Sequence, residues 1–260
     1  MNLQGKCLLS RRAFLKMTGL VGGGALAGPF VSLPEAQAFL FNKQDYKVSA
    51  TRLAMGTFVS LTAIHHSKDQ AEEAFGLAFE EVNRLSGLLS RHDENSPVAE
   101  LNKRGQLKEL PAELREVVSK SLYFSKFTGG AFDISVKPLL DLYQKSFQEG
   151  TEPSSEAISR ALEFVDVKSV SLDESTVMFA KQGMGITLDG IAKGYIVDKL
   201  SELLVKNGVE NHLINAGGDI RANGSASKGR KWKIAIQDPG KEGAYPDVVS
   251  LGSGSIATSG

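Results

Sequence analysis

The sequence predicts an α+β protein in which long helices pack on a largely antiparallel sheet. Two patterns predict it: apolar residues recur at helical spacing in the first half, and short alternating strands broken by glycine turns dominate the end. Of the 260 residues, 42% are hydrophobic and 23% charged, an ordinary globular balance with enough chain for a substantial core.

Residues 47–64 alternate as two strands around Met55-Gly56-Thr57. From Lys68 to Leu89, Ala71, Ala74, Phe75, Ala78, Phe79, Val82, Leu85 and Leu89 form one apolar stripe, predicting a long amphipathic helix. Ser96-Pro97 reads as the N-cap and first residue of a short helix through Asn102. Pro111 to Phe127 reads as a helix that Gly129-Gly130 ends, and Val136–Tyr143 and Ser155–Phe164 as shorter ones. Val167–Leu172 and Thr176–Ala180 predict a hairpin. After a strand ending at Ile186-Thr187-Leu188, a helix is expected from about Gly190 to Lys206. Strands follow at His212–Asn215, Asp219–Ala222, Lys231–Gln237 and Val248–Leu251. No internal repeat is present.

The N-terminal segment reads as an address. Ser10-Arg11-Arg12-Ala13-Phe14-Leu15-Lys16 is a twin-arginine pattern, an apolar, glycine-rich run spans Leu20 to Leu33, and Ala36-Gln37-Ala38 fits a small-x-small cleavage site. The run is broken by Pro29 and Pro34, whereas a membrane span needs roughly 20 continuous apolar residues. Residues 1–38 are therefore expected to be a twin-arginine signal peptide, and 39–260 an exported, periplasmic domain with no stable membrane span. The sole cysteine, Cys7, would leave with the signal, so the mature protein has no disulfide. Beyond residue 38 the chain holds 26 basic and 29 acidic residues, a net charge of −3 that gives no support to nucleic-acid binding.

Most catalytic motifs fail. His65, His66, His92 and His212 have no zinc-ligand spacing, and the chain contains neither a phosphate-binding P-loop nor a G-x-S-x-G elbow. Ser225-x-x-Lys228 matches the start of a penicillin-recognising motif, but its companion motifs are missing. What remains is a set of glycine-bearing turns. Thr187-Leu188-Asp189-Gly190-Ile191-Ala192-Lys193-Gly194-Tyr195 leads into a helix, whose first amides are unpaired and sit at the positive end of its dipole. Gly190 would let a ligand approach the backbone and Lys193 adds a charge, although Asp189 could equally be a plain cap. Asn215-Ala216-Gly217-Gly218-Asp219 could be a simple hairpin turn, and Thr128-Gly129-Gly130-Ala131-Phe132-Asp133 a simple helix end. Ala257-Thr258-Ser259-Gly260 offers two hydroxyls.

Taken in order, these turns resemble the motifs of the ApbE family of FAD:protein FMN transferases. The match runs from Met55-Gly56-Thr57 and Ser90 through Ser96 to Leu101-Asn102. It continues through Thr128–Asp133 with Pro138-Leu139, Gly190–Tyr195, Asn215–Ile220, Trp232 with Asp238-Pro239, and Ala257–Gly260, covering essentially the whole mature chain. The resemblance implies an ApbE/T-fold-like domain and a magnesium enzyme. Such an enzyme cleaves the pyrophosphate of FAD, its substrate, attaches FMN to a threonine of a membrane or periplasmic redox protein, and releases AMP. Some relatives instead hydrolyse FAD, and a non-catalytic FAD-binding protein of the same fold is a further alternative.

By position, the resemblance places Met55, His92, Ala131, Phe132, Asp133, Thr187, Lys193 and Thr258 against FAD. His92 stands where relatives carry an aromatic side chain. The Gly190 carbonyl is implied as one ligand of Mg2+, an ion that prefers oxygen donors. No general base is assigned.

Two departures stand out. Many relatives read D-L-G-G-I-A-K-G, whereas Thr187 here takes the first position and Asp189 the third, a form that resembles a subgroup linked to nitrous oxide reduction. Relatives also continue past the Thr-Ser-Gly motif with a His-bearing segment and an Asp/Thr motif that supplies the other magnesium ligands. The expectation is a C-terminally incomplete domain.

Overall fold

The computed structural model describes residues 37–42, 44–236, 245 and 247–258. The twin-arginine motif, the apolar run, Asp238-Pro239 and Ser259-Gly260 lie outside them. In chain order the elements are β1 (Gln37–Leu40), β2 (Tyr46–Ala54), β3 (Thr57–His65), α1 (Lys68–Leu89), α2 (Pro97–Arg104), β4 (Gln106–Lys108) and α3 (Ala112–Phe127). They continue with α4 (Lys137–Gln148), α5 (Ser155–Leu162), β5 (Val170–Leu172), β6 (Thr176–Phe179), α6 (Ala192–Lys206), β7 (His212–Ala216), β8 (Asp219–Asn223), β9 (Trp232–Ile236), β10 (Asp247–Leu251) and β11 (Gly254–Ile256). Two 3-10 turns, Ile134–Val136 and Val167–Ser169, precede α4 and β5. The expected cleavage point after Ala38 falls inside β1, which pairs with β2 from Gln37 onward.

The chain divides into two compact units, and it crosses from one to the other inside α1 and returns inside α6. The first unit, residues 37–79 and 197–258 of the described chain, holds a six-stranded sheet of order β1-β2-β3-β7-β8-β11 and the hairpin β9–β10. Every pairing is antiparallel. Along β3, fully buried Val59, Leu61 and Ala63 alternate with the half-exposed Ser60 and Thr62, so one face of the sheet is covered. Helical segments supply that cover. The Arg52 guanidinium of β2 lies 4.5 Å from the Phe79 ring centre of α1. Buried Ser201 of α6 bonds His212 of β7 at 2.8 Å. A second apolar cluster joins Ile64, Ile220, Ala222, Trp232 and Ile234.

The second unit, residues 80–196, contains the small antiparallel sheet β4-β6-β5 with α2 to α5. Here Ser96 caps α2 by accepting from the Ala99 amide at 2.9 Å, and Gly105 closes it in the left-handed conformation at φ 71°, as the Ser-Pro…Gly punctuation predicts. Leu114, Val117 and Val118 of α3 are fully buried.

Three expectations need correction. The helix expected from Gly190 begins at Ala192, because the Leu188 carbonyl takes the amides of both Ile191 and Ala192 and tightens the entry into a turn. The strand expected at Ile186–Leu188 is no strand. Residues 184–188 are buried without a ladder, and the Asn102 side chain stands in for one. It donates to the Ile186 carbonyl at 2.9 Å and accepts the Ile186 amide at 2.7 Å. The 136–143 helix runs on to Gln148. Strands β1, β4 and β11 were not expected, since each holds only three or four residues, too few to show a period.

Candidate functional site

In the first unit, three of the singled-out turns converge. Met55 and Gly56 form a two-residue hairpin between Ala54 and Thr57, with φ 53° and 70°, positive at both positions as the tightest right-twisted hairpin requires. Glycine meets that requirement freely, whereas a left-handed Met costs roughly 1–2 kcal/mol. Such an outlier points toward function. Gly217 and Gly218, at φ 62° and 103°, make the β7–β8 turn, and the Asn215 side chain accepts the Gly218 amide at 3.0 Å. A Cβ on Gly217 would run into the Thr57 side chain, and one on Gly218 into the Thr258 hydroxyl. That hydroxyl donates to the Gly218 carbonyl at 3.3 Å. Met55, the glycine pair and Thr258 thus belong to one cluster of turns.

In the second unit, Thr128 caps α3, and its hydroxyl both donates to Phe124 O at 2.8 Å and accepts the Phe132 amide at 3.0 Å. Left-handed Gly129 and Gly130 then let the chain reverse, leaving Ala131 exposed and Phe132 half-buried. Asp133 opens the 3-10 turn, its Oδ1 accepting from the amide and hydroxyl of Ser135 at 2.7 and 2.6 Å. The other oxygen takes the Val167 amide at 3.3 Å. Capping this turn accounts for much of what the carboxylate does.

Phe132 reaches the Leu188–Ile191 turn. A Cβ on Gly190 would stand 3.2 Å from its ring edge, so glycine here makes room for the ring. Buried Thr187 ties the turn down: its amide donates to Ile134 O at 2.8 Å and its hydroxyl accepts the Asp189 amide at 3.2 Å. Asp189 does not cap α6. Its carboxylate accepts from Arg91 Nε at 2.9 Å, and Arg91 Nη1 reaches Asp141 of α4 at 3.2 Å, beside the Lys137–Asp141 pair. Burial alone would raise the Asp189 pKa. The hydrogen bonds from Arg91 and Thr187 and the charges of Arg91 and His92 outweigh it and hold the carboxyl below its ordinary value. His92 is exposed on the loop between α1 and α2, where its amide donates to Ser90 Oγ at 3.1 Å.

The start of α6 has the character of an anion site. Among the described residues, the amides of Gly190, Lys193 and Gly194 find no backbone acceptor, and the Lys193 ammonium has no ion-pair partner. Unpaired amides at the positive end of a 15-residue helix, with a free ammonium in its first turn, suit a phosphate. A magnesium site is not assembled in the same way. No group of three His, Cys, Asp or Glu among the described residues can hold a metal, and the carboxylate of the adjacent Asp189 is paired with Arg91.

Sequence reasoning passed over Arg91 and Asn102, both inside quoted motifs. Their partners lie 98 and 84 residues away, beyond any local pattern.

Comparison with known proteins agrees with the turns. The ApbE family model matches residues 55–260. The FAD:protein FMN transferase of Haemophilus influenzae is 26% identical over 94% of this chain, and that of Treponema pallidum 30% identical over 82%. The chain spans 73% and 64% of those relatives' lengths. Among solved structures, the ApbE protein of Thermotoga maritima superposes with a TM-score of 0.73 at 31% identity, over 84% of this chain and 71% of that one. Flavin transferase ApbE of Vibrio cholerae gives 0.74 at 22% identity, over 83% and 72%. Fold and turns place the chain in a class of flavin-transferring enzymes. It belongs to the ApbE family.

Proposed function

We propose that this protein is an FAD:protein FMN transferase, and the single observation that carries the reading beyond family membership is the free donor set at the start of α6. The Gly190, Lys193 and Gly194 amides and the Lys193 ammonium would take the FAD pyrophosphate, and Phe132 over Gly190 would shape the approach. In the reaction, the acceptor threonine oxygen bonds the FMN phosphorus and the bond from that same phosphorus to the bridging oxygen breaks, so the bridging oxygen goes with AMP. AMP leaves with the electron pair, and the hydroxyl proton passes to solvent. Fixed donors stabilise charge on the phosphate oxygens, and binding aligns the two oxygens in line.

Magnesium dependence, an acceptor that is a membrane or periplasmic redox protein, and export through the twin-arginine route complete the proposal. They are supported by the family resemblance and by Ser10–Lys16. Among the described residues, no helix is long and apolar enough to cross a membrane. The Thr187-Leu188-Asp189-Gly190 form supports membership in the subgroup linked to nitrous oxide reduction. Met55 and Thr258, on the first unit, are proposed as separate FAD contacts.

The test mixes the chain with FAD, magnesium and a small acceptor domain carrying a Ser/Thr-rich target motif, with and without EDTA. In-gel flavin fluorescence and intact mass are read. An FMN adduct on the acceptor, lost with EDTA, is the expected result, and Lys193→Ala should lower FAD affinity roughly tenfold with little change in stability. Bound FAD that is never transferred would identify a non-catalytic flavin-binding protein. FMN and AMP released without an acceptor would identify a hydrolase.

A further inference from the structure

A carboxylate beside a phosphate-binding turn is a liability, because it repels the ligand that the turn is built to hold. Asp189 is such a carboxylate, one residue before Gly190. The fold answers it with Arg91, whose side chain is 12% exposed, while the Asp189 side chain is 53% exposed. Arg91 meets Asp189 through Nε and Asp141 through Nη1, and Lys137 pairs with the same Asp141. The four charges cancel. The chain thus carries a neutral cluster at the edge of the turn, where the same group without Arg91 would be net negative.

We propose that Arg91 is a positioning residue for this turn, acting through Asp189. It neutralises the carboxylate and tethers the turn to α4, so that the free amides and Lys193 face an incoming diphosphate without local repulsion. The inference rests on the FAD reading above and deepens it, since it names the residue that sets the charge of the site. A guanidinium suits the task because it stays charged and offers donors in a fixed fork, so one side chain can serve both carboxylates.

A brace and a charge-cancelling pair differ in the sign of their effects. If Arg91 and Asp189 merely hold two segments together, removing either partner should do the same harm. If they cancel charge, Arg91→Gln exposes an unpaired carboxylate and weakens diphosphate binding, whereas Asp189→Asn removes the repulsion and leaves binding equal or tighter. The doubly substituted chain, neutral again, should recover.

The experiment measures FAD and riboflavin affinity of the full chain by flavin fluorescence, with thermal midpoints recorded in parallel. Riboflavin has the flavin without the phosphates. Arg91→Gln is expected to weaken FAD roughly three- to tenfold while riboflavin stays unchanged, and added salt should narrow the gap. Asp189→Asn should not weaken FAD, and the double substitution should return to within about twofold of the unaltered chain. Arg91→Lys keeps the charge and should keep most of the affinity, which preserves the test if Arg91→Gln fails to fold. Equal losses from Arg91→Gln and Asp189→Asn, or a parallel loss of riboflavin, would overturn the proposal in favour of a brace. If the unaltered chain binds riboflavin but shows no gain from the phosphates of FAD, the functional reading falls first, and the role of Arg91 falls with it.

Discussion

Both units of this protein carry glycine turns of similar appearance, and they differ in what the glycines face. In the first unit, Gly217 and Gly218 lie against Thr57 and Thr258, so a side chain there has nowhere to go. At the start of α6 in the second unit, Gly194 has open space where a Cβ would stand, and the neighbouring amides find no backbone acceptor among the described residues. One set of glycines is demanded by packing within the chain. In the other, Gly190 makes room for Phe132, but Gly194 and the unpaired amides leave room and donors that the described chain does not use. Surplus donors at a helix end, more than glycine content, distinguish a candidate binding turn from a structural one.

The largest expected effect tests that contrast directly. Gly217→Ala or Gly218→Ala forces a Cβ into a left-handed position and into a threonine, and should destabilise the protein by about 2–4 kcal/mol. Gly194→Ala in helix α6 should instead stabilise by about 0.5–1 kcal/mol. Thermal or urea unfolding measures both, and a Gly194 loss as large as that at Gly217 would erase the distinction between the two turns.

Next in size is Asn102→Ala. It strips the partners from both the amide and the carbonyl of Ile186 in the buried stretch that delivers Thr187 to the turn. About 2–3 kcal/mol of stability should be lost. Local hydrogen exchange should rise at residues 184–190. Rapid exchange confined to the first unit would contradict this account of how the turn is held.

The smallest effect is a pH dependence in the first unit. His212 is fully buried, and burial, with the nearby Arg221 charge, pushes its pKa below the ordinary 6.5 despite the Val209 carbonyl at 2.8 Å. With Nδ1 donating to Val209, Nε2 accepts from the Ser201 hydroxyl. The unfolded chain therefore binds this proton more readily than the folded one. The stabilising contribution is fully present above about pH 6.5 and is lost as pH falls through the folded pKa. Midpoints measured from pH 7.5 down to pH 5 should decline for the native chain and decline less for His212→Gln.

Much of the fold is legible locally. The span Lys68–Leu89 agrees to the residue, because an uninterrupted apolar stripe has only one way to be buried. Ser96-Pro97 and the Met55-Gly56 hairpin are equally direct, since caps and two-residue turns are local chemistry. Of the candidate site residues, Phe132 and Thr187 meet the Gly190 turn. The carboxylates have partners within the chain: Asp133 accepts from Ser135 and Val167, and Asp189 from Arg91.

The sequence by itself determined where the helices run, where the chain turns, and which glycine segments were worth watching. All of these depend on residues within a few positions of each other. Only the tertiary structure decided that Asn102 replaces a strand partner for Ile186, that Arg91 silences Asp189, and that Thr57 and Thr258 close on the Gly217-Gly218 turn. These are pairings across tens of residues, set by how folded segments meet, and no local period or propensity carries that information.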